Sequence, residues 1–349
     1  ACTNCHQDRK PAWAAAAIVK WYGEKRRQGN HFGEAFRAAR TGDPGGPEAL
    51  ARVAGDAAMP AIVRASALAD LRADPQAGLA TRRAAARDRD DLVRLGAAES
   101  ADGLTPDERV ALLTPLLTDA RRAVRVTAAR VLSGVPAEQV AASVKPAFEK
   151  ALGEYVAAQE LSLDMPGARF NLGVVYENTG RRAEAEAQYE AALKIDPDFS
   201  AARANLAVLL NGLSRNADAE RVLQEGLKRN PAQGELQYSL GLLLAEGQRL
   251  KDASVALGAA ARLLPGRADI QYNYGLALQQ TGEATGAERA LLAAQRLSPG
   301  DPSIPYALAV FYAQTKRRAQ AIQWAERLAA LRPGDPRAAR LVAELRSGR

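Results

Sequence analysis

The chain of 349 residues has a formal net charge of +7, and 47% of its residues are hydrophobic while only 5% are aromatic. At roughly 150 residues per domain its length predicts two or three structural units, and its alanine-rich, aromatic-poor composition is typical of an all-α protein. No stretch approaches the roughly 18–20 consecutive apolar residues of a membrane-spanning helix, so the sequence predicts no membrane span.

The first element along the chain is the pentapeptide CTNCH. It contains three of the four cysteine and histidine residues of the whole chain, namely Cys2, Cys5 and His6. The pattern C-x-x-C-H is the attachment signature of c-type haem. Two thiols reach the vinyl groups on one porphyrin edge, and the next residue places an imidazole under the iron. We therefore predict covalent haem c on Cys2 and Cys5, with His6 as an iron ligand.

Three other interpretations of this motif compete with haem. A thioredoxin-like redox pair belongs at the start of a helix in a βαβ unit, and no β-rich segment surrounds this pair. A structural zinc site needs four ligands, and only His31 remains nearby to help. A disulfide between Cys2 and Cys5 would be strained and would link no distant segments.

Two short helices are predicted after the motif. The first begins at Pro11, a residue suited to the first turn of a helix, and carries Trp13 and Trp21 on one face. The second is predicted to begin with Asn30 as its cap and to end near residues 41–42. The aromatic residues of this segment fit a haem pocket, and an ordinary small helical core explains them equally well.

His31 is the only other histidine of the chain. A haem iron with one histidine ligand has a second axial position to fill, so we predict that His31 occupies it, on this haem or on one bound further upstream. Ligation by methionine remains an alternative, with Met59 and Met165 as the candidates, and so does an open iron position.

The segment of residues 1–40 is basic, with eight lysines and arginines against three acidic residues. No nucleic-acid recognition motif accompanies these charges. We interpret them as a solvated face, or as compensation for the propionates of haem, and predict no nucleic-acid partner.

Residues 45–140 show a weak period of about 30 residues, which is within the range of helical-repeat proteins. Each period has a Val-Arg pair that follows an aspartate and precedes an alanine-rich run. The aspartates are Asp56, Asp90 and Asp119, and the pairs are Val63-Arg64, Val93-Arg94 and Val124-Arg125. The pattern resembles HEAT repeats, in which such an arginine ties neighbouring repeats to such an aspartate. An irregular helical linker is the alternative, and residues 141–165 are predicted to form a connecting helix.

A clearer period of about 34 residues begins at residue 166. Its prolines are Pro197, Pro231, Pro265, Pro299 and Pro333. Small and aromatic residues recur in phase between them, as in the first unit with Leu172, Gly173, Tyr176, Gly180 and Ala185. The sequence resembles tetratricopeptide repeats at almost every signature position. This resemblance implies five helix pairs over residues 166–335 and an α-solenoid, with a capping helix at residues 336–349.

The resemblance also implies a peptide-binding groove lined by the first helix of each pair. Amides recur at the sixth position of these helices, as Asn171, Asn205 and Asn273, beside aromatic residues at the fifth, as Tyr238, Tyr272 and Tyr306. An asparagine side chain both donates and accepts, so it can pair with a peptide backbone of any sequence. We predict that these six residues bind an extended peptide or protein segment. The alternative is that the asparagines pack or cap neighbouring repeats.

The order of these elements resembles bacterial multihaem c-type cytochromes that end in a repeat scaffold. Residues 1–44 would be the haem segment of such a protein. This resemblance implies an upstream haem domain and export to the periplasm or beyond, because haem c is attached outside the cytoplasmic membrane. It also implies electron transfer to a redox protein partner. The alternatives are a non-redox interaction protein with a structural haem, and a fragment of a multihaem oxidoreductase.

No catalytic motif accompanies these elements. The sequence has no Ser-His-Asp set, no P-loop and no dinucleotide fingerprint, and two histidines leave little for acid–base chemistry. We therefore expect that this chain is not an enzyme by itself.

Overall fold

The computed structural model describes residue 6 and residues 8–24, 31–74 and 76–347. In these residues the regular structure consists of twenty α-helices and three short 3₁₀ helices, with no strand. The fold is all-α, as the composition predicts. The chain forms two compact units, Ala1–Tyr155 and Val156–Arg349, and the boundary between them lies within one helix.

The described residues of the first unit form nine α-helices, the last of which continues into the second unit. They are α1 Pro11–Tyr22, α2 Phe32–Arg40, α3 Gly46–Gly55, α4 Ala61–Asp70, α5 Leu79–Ala85, α6 Asp91–Glu99, α7 Pro106–Leu113, α8 Arg122–Leu132 and α9 Lys145–Glu160. From α3 onward these helices form two layers, because α4, α6 and α8 pack side by side and α3 packs against α5. Leu68, Val93 and Val124 from the first layer are buried in the core.

Helices α4 and α6 approach each other closely at Gly96. A Cβ atom at this position would lie 2.8 Å from the carbonyl oxygen of Ala65 and 2.9 Å from its Cα atom. Only glycine permits this distance between the two backbones, so Gly96 sets the spacing of the layer.

Arginines of the Val-Arg pairs connect successive helices of this layer to the segments that follow. A guanidinium nitrogen of Arg64 lies 2.6 Å from Asp88, and Arg94 donates two hydrogen bonds to Asp119, at 2.5 and 3.1 Å. Arg125 donates to Glu154 at 2.7 Å. Each arginine therefore reaches forward along the chain to a carboxylate in the next repeat-sized segment.

Of the three aspartates expected to pair with these arginines, only Asp119 does so in the structure. Asp90 is instead the N-cap of α6 and accepts a hydrogen bond from the backbone N–H of Leu92. Asp56 accepts from the backbone N–H of Ala58 in the turn after α3. Short aspartate side chains beside a helix end satisfy backbone donors that have no partner in the helix, and this local role outweighs the ion pair.

From α10 onward, the described part of the second unit forms eleven helices. They are α10 Pro166–Asn178, α11 Arg182–Ile195, α12 Ser200–Gly212, α13 Asn216–Arg229, α14 Gly234–Glu246, α15 Leu250–Leu263, α16 Ala268–Gln280, α17 Ala284–Leu297, α18 Ser303–Gln314, α19 Arg318–Leu331 and α20 Pro336–Ser347. From α10 to α19 they form five antiparallel pairs, which we call repeats one to five. The even-numbered helices α10 to α18 are the first helices of the repeats, and the odd-numbered helices α11 to α19 are the second helices.

The repeats stack into a solenoid. Each second helix packs against its own first helix and against the first helix of the next repeat. Neighbouring first helices also contact one another, more extensively than neighbouring second helices do. The first helices therefore lie on the inner side of the curved stack. Their side chains that point away from the second helices line its inner face.

Glycine allows the two helices of a repeat to come together. A Cβ atom on Gly173 would lie 2.4 Å from the ring of Tyr189, and one on Gly241 would lie 2.6 Å from Leu257. The small residues of the repeat thus bring large side chains of the second helix directly onto the backbone of the first. No helix among the described residues is long and apolar enough to cross a membrane.

Candidate functional sites

The predicted haem segment is only partly described by the structure. Cys2 and Cys5 lie outside the described residues, while His6 is described and exposed. The His6 ring lies next to the indole of Trp13, with 4.9 Å between ring centroids, and the guanidinium of Arg9 lies 5.8 Å from the same indole. The structure therefore places an imidazole, a large aromatic side chain and a positive charge together at the start of α1.

Helix α1 follows this cluster and contains no buried residue. Apart from the half-buried Ile18, its large apolar side chains are exposed, with Trp21 at 69% and Tyr22 at 65% of their full accessible surface. Exposed aromatic side chains on a short helix beside an accessible imidazole fit a planar apolar group such as a porphyrin, which would cover them. The residues present are thus compatible with the predicted haem.

His31 lies at the start of α2, where it is the N-cap of the helix. Its Nδ1 atom accepts a hydrogen bond of 3.0 Å from the backbone N–H of Gly33. The sequence predicts Asn30 for this cap; Asn30 lies outside the described residues, and the imidazole supplies the acceptor. Because Nδ1 accepts, the proton of the neutral ring is on Nε2.

A cleft of about 360 Å³ lies beside His31, and it is also lined by Met59, Arg37, Arg52 and Asp56. The structure thus places two of the candidate iron ligands, His31 and Met59, at one cleft, with two guanidinium groups. No hydrogen bond or ring contact in the described part of the chain links His31 to His6.

Met165, the other candidate ligand, is exposed in the second unit. A ready-made metal site of ordinary side chains is absent from the described residues. Among them no group of three or more His, Cys, Asp or Glu side chains is arranged to hold a metal ion.

The three asparagines of the predicted groove lie on the inner face, and each makes a hydrogen bond within the second unit. Asn273 donates to the Tyr238 hydroxyl of the preceding repeat at 2.8 Å. Asn205 donates to the Tyr189 hydroxyl at 3.4 Å, and Asn171 donates to Gln159 at 3.1 Å. In all three cases the amide nitrogen is the donor, and the contacts in the described residues leave the carbonyl oxygen as an acceptor for a ligand.

The three tyrosines of the groove differ in exposure. Tyr238 and Tyr272 are half-buried, whereas Tyr306 is 53% exposed. Burial raises the pKa of Tyr238, and burial also raises the pKa of Tyr272, so both phenols remain protonated at neutral pH. The aromatic side chains therefore offer hydroxyl groups and ring faces rather than charges.

The structure also shows ion pairs that the sequence did not lead us to predict. They join the second helix of one repeat to the residue before the second helix of the next, and we call them the outer ladder. Its pairs are Glu186–Arg215 at 2.7 Å, Glu220–Arg249 at 2.7 Å and Glu288–Arg317 at 2.8 Å. The signal available in the sequence is a glutamate followed by an arginine at one fixed separation, repeated in phase with the period.

The last pair of the outer ladder belongs to a network with Tyr312. The Tyr312 hydroxyl donates to Glu288 at 2.7 Å, and the Arg317 guanidinium lies 4.5 Å from the tyrosine ring. Burial and the bond to Glu288 raise the pKa of Tyr312 to about 12. Burial alone would raise the pKa of Glu288, but the hydrogen bonds from Tyr312 and Arg317 lower it further than burial raises it.

Comparisons with known proteins agree with this architecture. One model of the tetratricopeptide repeat matches residues 179–243 and 293–345, and a second model of the same repeat matches residues 146–198 and 252–302. The paired helices of the second unit are therefore a solenoid of the protein-interaction class. The chain carries a tetratricopeptide repeat domain.

Solved structures of this class resemble about half of the chain. YrrB, described as a tetratricopeptide repeat protein with an unusual peptide-binding site, is 21% identical over 53% of this chain and 95% of its own, with a TM-score of 0.45. PilF of Pseudomonas aeruginosa is 23% identical over 55% of this chain and 86% of its own, with a TM-score of 0.46. MamA is 21% identical over 48% of this chain and 91% of its own, with a TM-score of 0.43. No curated protein sequence matches the chain.

Proposed function

We propose that this chain is a c-type cytochrome module for electron transfer whose tetratricopeptide repeat domain docks a protein partner. The observation that carries the proposal is the CTNCH pentapeptide, followed closely by a helix that exposes its tryptophans. A C-x-x-C-H motif beside an uncovered aromatic surface favours haem over the zinc and disulfide alternatives.

In this proposal each residue near the motif has a defined task. Cys2 and Cys5 hold the porphyrin covalently, and His6 coordinates its iron. Haem supplies one-electron chemistry when it is bound. Trp13 packs beside His6 and limits the access of water, while Arg9 provides a positive charge for a propionate.

The same proposal assigns the chain to the periplasm or the extracellular space, where haem c is attached. Its redox partner would be an upstream haem domain or a separate redox protein. Residues 45–140 would form a HEAT-like spacer, which in the sequence lies between the haem segment and the repeats of the groove. The layers of helices in this segment support that assignment, as do the ion pairs of its Val-Arg arginines, such as Arg94–Asp119.

Mass spectrometry tests the haem assignment. The chain should be expressed in a host that matures c-type cytochromes, denatured, and weighed beside the Cys2→Ser/Cys5→Ser variant made in the same host. We expect one covalently attached haem on the wild-type chain and none on the variant. An unmodified wild-type mass would exclude the cytochrome function and leave a non-redox interaction protein.

Capture of a partner tests the groove. The variant Asn171→Ala/Asn205→Ala/Asn273→Ala removes the amides of the inner face. It should retain its helical circular dichroism and most of its thermal stability while it loses at least about tenfold in affinity for a protein partner, since three lost hydrogen bonds at about 0.5–1.5 kcal/mol each amount to at least about 1.5 kcal/mol. Undiminished capture, or simple unfolding of the variant, would support the packing role of these asparagines instead.

A further inference from the structure

An exposed apolar stripe runs along the inner face of the solenoid. It is formed by the ninth position of each repeat, in order Val174, Val208, Leu242, Leu276 and Val310. Val208 is 60% exposed, and the other four are half-buried. The stripe passes beside the tyrosines of the groove, so an apolar surface extends through all five repeats.

The first helices, whose side chains form this face, are poor in basic residues. Residues 156–349 contain 24 lysines and arginines against 21 acidic residues, yet α14, α16 and α18 contain no lysine or arginine. The first helices have only two, Arg169 and Arg203, and both donate to backbone carbonyls in the packed region, to Leu163 and Val222 respectively. The positive charge of the unit therefore lies on its second helices and its connecting segments.

Acidic side chains occupy both edges of the apolar stripe. Glu235 and Asp269 lie in the first turns of α14 and α16, and Glu246 lies in the last turn of α14. Arg267 binds both Glu235 and Asp269, at 2.7 and 2.6 Å, so one positive charge is shared between two carboxylates.

Glu246 has no such counter-ion among the described residues. It is exposed, and its carboxylate accepts a 2.6 Å hydrogen bond from the neutral amide of Asn211. An excess of negative charge therefore remains on the inner face, next to the apolar stripe.

We propose that the occupant of this groove is an extended protein segment in which lysine or arginine side chains alternate with apolar ones. The inference rests on the proposed function, since it requires that the inner face binds a peptide. Apolar side chains would lie on the stripe from Val174 to Val310, and basic ones would reach carboxylates such as Glu246. An acidic segment or a terminal carboxylate would meet like charge, and the Arg267 guanidinium beside the stripe is already bound to Glu235 and Asp269.

A random library of dodecapeptides displayed on phage provides the test. The full-length chain is the bait, and the Asn171→Ala/Asn205→Ala/Asn273→Ala variant is the parallel control for selection by the groove. We expect the selected peptides to contain about threefold more lysine and arginine, relative to aspartate and glutamate, than the input library. Groove-dependent selection of neutral or acidic peptides would overturn the charge assignment and leave the proposed function intact. Failure to select any groove-dependent peptide would overturn both.

A single isosteric substitution then tests the carboxylate itself. Glu246→Gln keeps the oxygen that accepts from Asn211 and removes the charge. A synthetic copy of the strongest selected peptide should bind this variant about 1.5- to 5-fold more weakly than the wild type, with a smaller dependence on salt. The matched control is Glu190→Gln, an exposed position on the second helix α11. Equal losses in both variants, or no loss in either, would contradict the assignment.

Discussion

His31 has two possible roles that exclude each other. As the cap of α2, its Nδ1 atom accepts a hydrogen bond from Gly33. Coordination of iron through Nε2 requires the proton on Nδ1, and coordination through Nδ1 uses the same lone pair. In both cases the cap is lost, at a cost of about 1 kcal/mol. A ligating His31 must therefore give up the hydrogen bond from Gly33.

Two substitutions separate these roles. Asparagine is a good N-cap residue and a poor iron ligand, whereas alanine is neither. If His31 ligates the haem of this chain, both His31→Asn and His31→Ala should shift the optical spectrum of the haem protein toward high spin. If it serves only as a cap, the spectrum should remain unchanged, and His31→Ala alone should lower the melting temperature.

Glu288 gives the outer ladder a pH dependence. Burial alone would raise its pKa, but the hydrogen bonds from Tyr312 and Arg317 outweigh burial, so the pKa is lowered in the folded chain. The carboxylate therefore stabilises the fold above its unfolded pKa of about 4.3, and this contribution disappears as the pH falls through the lower folded value.

The variant Glu288→Gln should therefore lose about 1 kcal/mol of unfolding free energy at pH 7. The difference from the wild type should shrink below about pH 4, as the wild-type carboxylate takes up its proton. Urea titrations at pH 7, 5 and 3.5 measure both quantities, with Glu190→Gln as the control. A difference that stays constant down to pH 3.5 would rule out the charge as its cause.

At the scale of the helices, two glycines in α-helices should respond to alanine in opposite directions. At Gly241 a Cβ atom would lie 2.6 Å from Leu257 Cγ and 3.1 Å from its backbone nitrogen, while at Gly153 in α9 nothing lies within 4 Å. We expect Gly241→Ala to destabilise the chain by about 1–3 kcal/mol and Gly153→Ala to stabilise it by about 0.5–1 kcal/mol. Thermal unfolding of both variants shows whether each substitution raises or lowers the stability. If Gly241→Ala were stabilising, the two helices of repeat three would not be held as close together as the structure shows.

The helices of the second unit were predictable because their period is local. A proline that recurs at a fixed interval, with small residues in phase, predicts where each pair begins and ends. In repeats one to four, the first helix begins at the equivalent position of that period, at Pro166, Ser200, Gly234 and Ala268. The family models confirm the tetratricopeptide repeats. The haem ligands and the peptide-binding residues stay predictions.

Interactions between distant residues were harder to predict. Because Asp56 and Asp90 each precede a Val-Arg pair, the sequence predicts that they form ion pairs with arginine. In the structure they accept hydrogen bonds from nearby backbone N–H groups instead. The cap of α2 is an imidazole, although histidine is not among the preferred capping residues. Which of two local partners an aspartate or a histidine takes depends on differences of about 1 kcal/mol, and one sequence does not reveal them.

At the scale of the whole molecule, the charges of the second unit are sorted by helix. The second helices carry basic residues and the outer ladder, and the first helices carry an apolar stripe edged with carboxylates. The repeat domain thus presents two chemically different faces, of which the outer one is suited to water and the inner one to a ligand. A net charge of +7 describes neither face.

The junction of repeats three and four departs from the outer ladder. The positions equivalent to Glu220 and Arg249 are there occupied by Ser254 and Glu283, which cannot form an ion pair. Among the described residues, the hydrogen bonds that join two side chains across this junction lie on the side of the first helices instead, in Arg267–Glu235 and Asn273–Tyr238. This junction is therefore held together by the same side chains that face the groove.

A basic segment bound in the groove would compete with Arg267 for Glu235, so part of its binding energy would be used to weaken the contact between repeats three and four. In a linear array, weakening one junction divides a single cooperative block into two. We expect amide hydrogen exchange, followed with and without a selected peptide, to slow in α10 and α12 and to quicken at the start of α16. Faster exchange at α12 and slower exchange at α16 would contradict this expectation. The expected pattern would mean that the solenoid loosens at its middle when a segment fills its groove.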